Sequence, residues 1–167
     1  DLEALIEEGV LTREECDSMD FGDDEADIDY EEMYRSRYIL LTMAYERSNI
    51  SQDPDYQQFL AENRWWLDDY ALFMALKERF GGKPWYEWED ALKFRQNTAL
   101  TAARAELKEQ IRFFSFVQYL FDRQWTALRS YAKEHGIRII GDVPIYVPLD
   151  SVEVWSEPEL FQLDEQL

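Results

Sequence analysis

The sequence predicts a mostly α-helical chain that ends in a single buried β-strand. Three observations lead there. From Tyr30 to His135 the apolar residues recur at spacings of three and four, the period of a helix face. After His135 the period changes, and Ile137, Ile139, Ile140, Val143, Ile145 and Val147 form a dense β-branched run, the pattern of a strand buried in a parallel sheet. The charge is also segregated. Of 36 acids and 17 bases, thirteen acids and one base fall in residues 1–30, which leaves the remainder composed for packing. With 167 residues, 46% of them hydrophobic and 16% aromatic, the chain suffices for one packed domain of ordinary size.

The net charge of -19 argues against a nucleic-acid partner, because phosphate neutralisation needs clustered Lys and Arg. It equally disfavours a membrane-surface role. One cysteine, Cys16, and one histidine, His135, exclude an intrachain disulfide and a Cys- or His-rich metal site. Residues 17–29 offer no frame with both Gly at the sixth and Glu at the twelfth position, so they do not form an EF-hand loop. No metal and no organic cofactor is expected. No apolar run approaches the ~20 residues of a membrane span. The first ten residues are acidic, without a basic start or a cleavage motif, so a cytoplasmic location is expected.

In chain order, Asp17 to Asp29, with Gly22 inside, reads as a solvated acidic linker. Tyr34, Tyr38, Leu41 and Tyr45 then form one helix face, and Ser48, Asn49 and Ser51 interrupt it. Asp53-Pro54 reads as an N-cap followed by a first-turn proline, which costs nothing where the N–H has no helical partner. Tyr56, Phe59, Leu60, Asn63, Trp66, Leu67, Tyr70, Phe73, Met74 and Phe80 continue the pattern, and Asn63 on that face suggests a bend or a second helix starting near Trp65. Gly81-Gly82 ends the element. A third stretch starts near Asn97-Thr98 and keeps its spacing from Leu100 to Ala132. Between Ile111 and Phe121 it is apolar on almost every side, which requires cover on every side and suggests partners outside this chain. His135-Gly136 closes the helix, where a histidine favours the helix dipole. The tryptophans Trp65, Trp66, Trp85 and Trp88 read as core, although aromatic rings also suit carbohydrate.

The β-branched run raises a topological difficulty. No other segment has comparable β-character, so the strand requires neighbours outside the chain or self-association through its unpaired edge. The chain therefore reads as a fragment. Asp142 lies near the end of this run, in Gly141-Asp142-Val143-Pro144, where Pro144 removes a ladder donor. A carboxylate in an apolar strand needs a partner. At the C-terminal end of a parallel strand it has either a functional or a structural hydrogen-bonding role. Tyr146, Asp150, Ser151 and Trp155 follow in a polar, aromatic loop whose composition suits sugars, while Asp150-Ser151 reads equally as a helix N-cap.

At these residues a family resemblance emerges. Residues 136–147, continuing through Asp150-Ser151, Val154-Trp155 and Pro158-Glu159-Leu160-Phe161-Gln162-Leu163-Asp164, resemble 4-α-glucanotransferases of the amylomaltase type, glycoside hydrolase family 77. Trp66 to Lys77, Gly82-Lys83-Pro84-Trp85 with Trp88, Phe116 to Phe121, Arg123-Gln124-Trp125, and Asp29-Tyr30 with Tyr34 resemble further family patterns. The stretch up to Asp27 is the least family-like part.

The resemblance implies a helical insertion plus one β-strand of an amylase-like (β/α)8 TIM barrel. Residues 1–29 would be an acidic connecting segment, 30–135 a helical insertion subdomain, and 136–167 the third barrel strand with the active-site loop after it. It implies transfer of 1,4-α-glucan segments to glucose or maltooligosaccharide acceptors by retaining double displacement. That chemistry uses a carboxylate nucleophile and a carboxylic acid/base ~5 Å apart. Both lie beyond residue 167 in the family pattern, so no catalytic residue is assigned here and the fragment alone is expected to be inactive. The substrate-binding residues implied are Asp142, Tyr146, Asp150, Ser151 and Trp155, with Tyr34 at an auxiliary glucan site. Pro148-Leu149 departs from the family's usual pair at that position. A non-catalytic acidic helical interaction or glucan-binding module is the alternative.

Overall fold

A computed structural model of the chain describes residues 1–22 and 28–163. Residues 23–27 of the acidic linker, and Asp164 of the quoted motif, lie outside that range. Eight α-helices follow in order among the described residues: α1 (Leu2–Glu7), α2 (Arg13–Asp17), α3 (Tyr30–Arg47), α4 (Pro54–Arg79), α5 (Asp90–Lys93), α6 (Asn97–Glu106), α7 (Lys108–Glu134) and α8 (Val152–Ser156). Short 3-10 turns fall at Ile50–Gln52, Trp85–Glu87 and Pro158–Leu160. The long helices α4 and α7 pack along each other and organise the rest.

Local chemistry explains the long helices. The Asp53 carboxylate accepts from the backbone N–H groups of Asp55 at 2.8 Å and Tyr56 at 3.3 Å, with Pro54 in the first turn. Helix α4 then runs unbroken for 26 residues, so no second helix begins at Trp65. Asn63 is accommodated on the expected face because both ends of its amide are used. Its Nδ2 donates to the Phe59 carbonyl at 2.9 Å and its Oδ1 accepts from Trp66 Nε1 at 3.0 Å. Gly81 and Gly82, at φ +62° and +82°, end the helix in a conformation that a side chain would strain. The third stretch is two helices rather than one, broken at Leu107 (ψ 24°). Its apolar spacing runs through the break because α6 and α7 face the same core, in which Ala103, Leu107 and Phe114 are buried together.

Two expectations about cover are revised. The apolar belt of α7 finds most of its cover inside the chain. Phe114 is buried against α4 and Trp85, Phe116 and Leu120 against α1 and α3, and Tyr119 against Tyr56 and Phe59. Part of that cover comes from the acidic N-terminal stretch, which places Leu5, Leu11 and Cys16 in one cluster with Leu40 and Ala44 of α3. Consequently the most buried stripe of α3 is Ser36, Leu40 and Ala44, flanked rather than formed by Tyr38, Leu41 and Tyr45. Trp85 and Trp88 are core, as expected, and Trp66 is partly buried, but Trp65 is 84% exposed.

The predicted fold class needs correction. No strand occurs among the described residues, and residues 137–147 form an irregular stretch, outside any helix or strand and with a bend at Ile145. Ile140 is 93% and Val143 83% exposed, so this run is not buried. The physical reason is the absence of a partner. A helix closes its hydrogen bonds within one segment, whereas a strand needs a second segment to receive them. The expected self-association through a strand edge loses its basis, because the described residues provide no such edge.

Candidate functional site

The loop after the irregular stretch is tied to the helical body by polar contacts. Its first anchor is Asp150. One carboxylate oxygen accepts from Lys77 Nζ at 2.6 Å, and the other accepts from the Trp85 backbone N–H at 3.2 Å. Lys77 stands in the last turn of α4, and its ammonium also donates to the carbonyls of Gly82 at 2.7 Å and Lys83 at 3.0 Å. All three of its protons are therefore used. Trp85 Nε1 donates to the Leu149 carbonyl at 2.7 Å, which ties the loop to the segment after α4 from the other side.

Ser151 caps α8, its hydroxyl accepting from the Val154 N–H at 3.4 Å. The cap directs Val154 and Trp155 inward, and both are buried. The Trp155 ring is 1% exposed, 5.7 Å from both the Phe73 and Trp88 rings, and its Nε1 donates to the Leu92 carbonyl at 3.0 Å. The guanidinium of Arg95 lies over this ring, 4.3 Å from its centroid. Arg95 has φ +51°, which a residue with a side chain adopts only where its surroundings hold it. Its Nη2 donates to one oxygen of Asp69 at 2.8 Å, and Arg104 Nη2 donates to the other at 2.9 Å. A chain of contacts thus joins Trp155 through Arg95 and Asp69 to Arg104.

The structure accordingly brings Asp150, Ser151 and Trp155 together on the helical body, as the anchors of one loop. Asp142 and Tyr146 stand apart on the irregular stretch. Both are exposed, Tyr146 at 88%, and among the described residues they share no hydrogen bond or ring contact with the loop anchors. Tyr34 lies on the exposed side of α3, its ring 6.5 Å from Tyr38. Near it a groove of about 790 Å³, lined by Tyr38, Ile39, Tyr45, Glu78, Glu109 and Phe113, separates α3 from α7 and the end of α4. No group of three or more His, Cys, Asp or Glu side chains is placed to hold a metal among the described residues.

Sequence reasoning missed Lys77, Asp69, Arg95 and Arg104. Each carries only a weak local signal. Lys77 reads as a dipole-favoured cation at a helix C-terminus, and Arg95 follows a four-residue helix without a cap residue that would mark it. Their importance lies in partners 26 to 73 positions away.

Comparison with known proteins agrees with the resemblance noted above. The family model described as 4-alpha-glucanotransferase (Glyco_hydro_77) matches residues 1–167, the acidic N-terminal stretch included. The 4-alpha-glucanotransferase of Thermus thermophilus is 42% identical over 170 residues, covering 99% of this chain and 33% of that protein. That of Clostridium butyricum is 37% identical over 166 residues, covering 99% of this chain and 34% of that protein. Among solved structures, the amylomaltase from Streptococcus agalactiae in complex with acarbose superposes with a TM-score of 0.91 at 39% identity, covering 99% of this chain and 34% of that one. The chain spans about a third of the length of the relatives it matches.

Proposed function

This chain belongs to the 4-alpha-glucanotransferase family, glycoside hydrolase 77, and on that premise we propose that the protein containing it transfers 1,4-α-glucan segments from starch-type donors to glucose or maltooligosaccharide acceptors by retaining double displacement. The observation that carries the reading is the joint agreement in sequence and shape across 99% of the chain, at 39% identity and a TM-score of 0.91, with an amylomaltase whose structure holds acarbose.

Within this reading the chain's residues divide their work. Asp142 and Tyr146, exposed on the irregular stretch, offer a carboxylate and a phenol to sugar hydroxyls, and Tyr34 offers an exposed ring to an auxiliary glucan segment. Asp150, Ser151 and Trp155 serve the substrate by holding the loop beside it, through Lys77, the α8 cap and the Arg95 contact. The double displacement requires a nucleophile and an acid/base about 5 Å apart. The family resemblance assigns both to sequence beyond residue 167, so this chain contributes binding and positioning only.

Maltotriose disproportionation tests the reading. The complete protein is expected to release glucose and build a ladder of longer maltooligosaccharides, whereas the 167-residue chain releases none. Hydrolysis to glucose and maltose without a ladder would remove the transferase assignment. Glucose release by the chain alone would show that it carries catalytic groups of its own.

A further inference from the structure

Arg95 stands where helix geometry favours glycine. The end of α5 is closed by two backbone hydrogen bonds, from the Gln96 N–H to the Ala91 carbonyl at 2.8 Å and from the Arg95 N–H to the Leu92 carbonyl at 3.1 Å. That pair of bonds puts the residue after the helix cap in the left-handed region, which glycine enters without strain. Here the residue is Arg95, at φ +51°, and among the described residues no other side chain is carried at positive φ. Its guanidinium adds a second unfavourable feature, because Nη1 is buried and finds no acceptor among the described residues. Two costs at one residue point to a task performed by its side chain, since strain of this kind persists where the surroundings hold it and gathers at functional sites.

The contacts of the guanidinium define the task. It lies over the Trp155 ring, 4.3 Å from the centroid, and Nη2 donates to Asp69 at 2.8 Å. Asp69 is fixed in turn by Arg104 of α6, through its other oxygen at 2.9 Å, so the carboxylate that aims Arg95 is held from two helices. The backbone of the same turn takes part. The Leu92 carbonyl that accepts from the Arg95 N–H also accepts from Trp155 Nε1 at 3.0 Å. One strained turn therefore supplies both the cation over the indole and the acceptor at its edge. All of these contacts lie inside the chain, with the Arg95 side chain 22% exposed and Trp155 1%.

We propose that Arg95 is a positioning residue of the transfer reaction, its side chain seating Trp155 and with it the loop that Asp150, Ser151 and Trp155 anchor. The inference rests on the transferase reading for its link to activity. It separates activity from stability at one position. Glycine relieves the backbone but removes the guanidinium, whereas lysine keeps a cation near the ring and Asp69 but keeps the strain.

The test compares Arg95→Gly, Arg95→Ala and Arg95→Lys in the complete protein. Arg95→Gly should have a higher Tm than Arg95→Ala, because only glycine adopts the turn freely. Both should nevertheless lose kcat/KM in maltotriose disproportionation alike, by about tenfold, the order expected of a small misplacement away from the chemistry. Arg95→Lys should be more active than either. Activity that follows Tm, with Arg95→Gly the most active of the three, overturns the proposal and leaves Arg95 a structural residue. Exchange of the Trp155 indole N–H with solvent gives a reading that does not depend on turnover. Its NMR resonance, assigned by its loss in Trp155→Phe, should exchange faster in Arg95→Gly and Arg95→Ala than in the parent, and unchanged exchange also overturns the proposal. If the complete protein transfers no glucan, the transferase reading fails by itself, and the indole exchange still decides whether Arg95 seats Trp155.

Discussion

Replacing Trp155 by Phe isolates what its indole edge and extended ring contribute, because most of the ring volume remains. The Nε1 donor disappears, which leaves the Leu92 carbonyl without its 3.0 Å partner inside the core. An unpaired buried acceptor costs ~1–2 kcal/mol. The smaller ring also weakens the contact with the Arg95 guanidinium, now 4.3 Å from the centroid, a contact of ~0.5–1 kcal/mol at a partly exposed site. Together these give a loss of about 2 kcal/mol. Trp155→Ala adds a cavity beside Phe73 and Trp88 and should cost ~3–5 kcal/mol. Urea denaturation followed by circular dichroism measures both, and a chain of this size should lose roughly 4–8 °C in Tm for the Phe variant. Crossing Trp155→Phe with Arg95→Met tests the stacking component, since a real contact makes the double variant less destabilised than the sum. A Trp155→Phe variant within ~0.5 kcal/mol of the parent would refute the assignment of Trp155 as a hydrogen-bonded core residue.

Asp150→Ala removes the partner of a half-buried ammonium and of the Trp85 N–H, and is expected to cost about 2 kcal/mol, less than a fully buried pair because solvent reaches both groups. Faster hydrogen exchange at the Trp85 amide would report the loosened loop, and unchanged exchange would contradict the anchor. The Arg47 guanidinium holds the Glu15 carboxyl at about 2, against an ordinary 4.5. Because the folded value is depressed, the stability this gives is present above pH 4.5 and fades as pH falls toward 2. Glu15→Gln should flatten that part of the acid-unfolding curve, and a Glu15 carboxyl titrating by NMR near 4.5 would dismiss it. Burial pushes the Tyr56 phenol up to about 12 from 10. The unfolded chain then ionises first, so stability falls between pH 10 and 12, and Tyr56→Phe should lose less stability over that interval. An identical alkaline profile for the two proteins would count against burial of that hydroxyl.

The helices were legible because their determinants are local. Asp53-Pro54 supplies a cap and a compatible first residue, and Gly81-Gly82 supplies the exit, within a few positions of the backbone groups they serve. The burial of the N-terminal stretch was not legible, for the opposite reason. Its charge density conceals Leu5, Leu11 and Cys16, three apolar side chains whose burial depends on α3 and α7 rather than on their neighbours in sequence. The family residues of the loop were legible as positions, but not in their physical roles. Nothing near Asp150 in sequence announces that Lys77 and the Trp85 amide will take up its carboxylate.

Periodicity records which environment a segment suits, and a second condition decides whether it receives that environment. Helix α7 meets both conditions in its first half, where α3, α4 and the N-terminal helices cover Phe114, Phe116 and Leu120. In its second half Phe121 and Leu128 keep the apolar spacing while exposed, and the Phe121 ring stacks on that of Trp125, 6.4 Å away on the same helix. The helix persists there because its hydrogen bonds need no neighbour. The run from Ile137 to Val147 has equally strong apolar character, but its backbone groups can be satisfied only by another segment, so the missing neighbour removes the strand itself. The same deficit of cover therefore leaves a helix intact and exposed, but dissolves a strand. That asymmetry is why the α-helical part of the prediction survives in a chain spanning a third of its relatives' length and the β part does not.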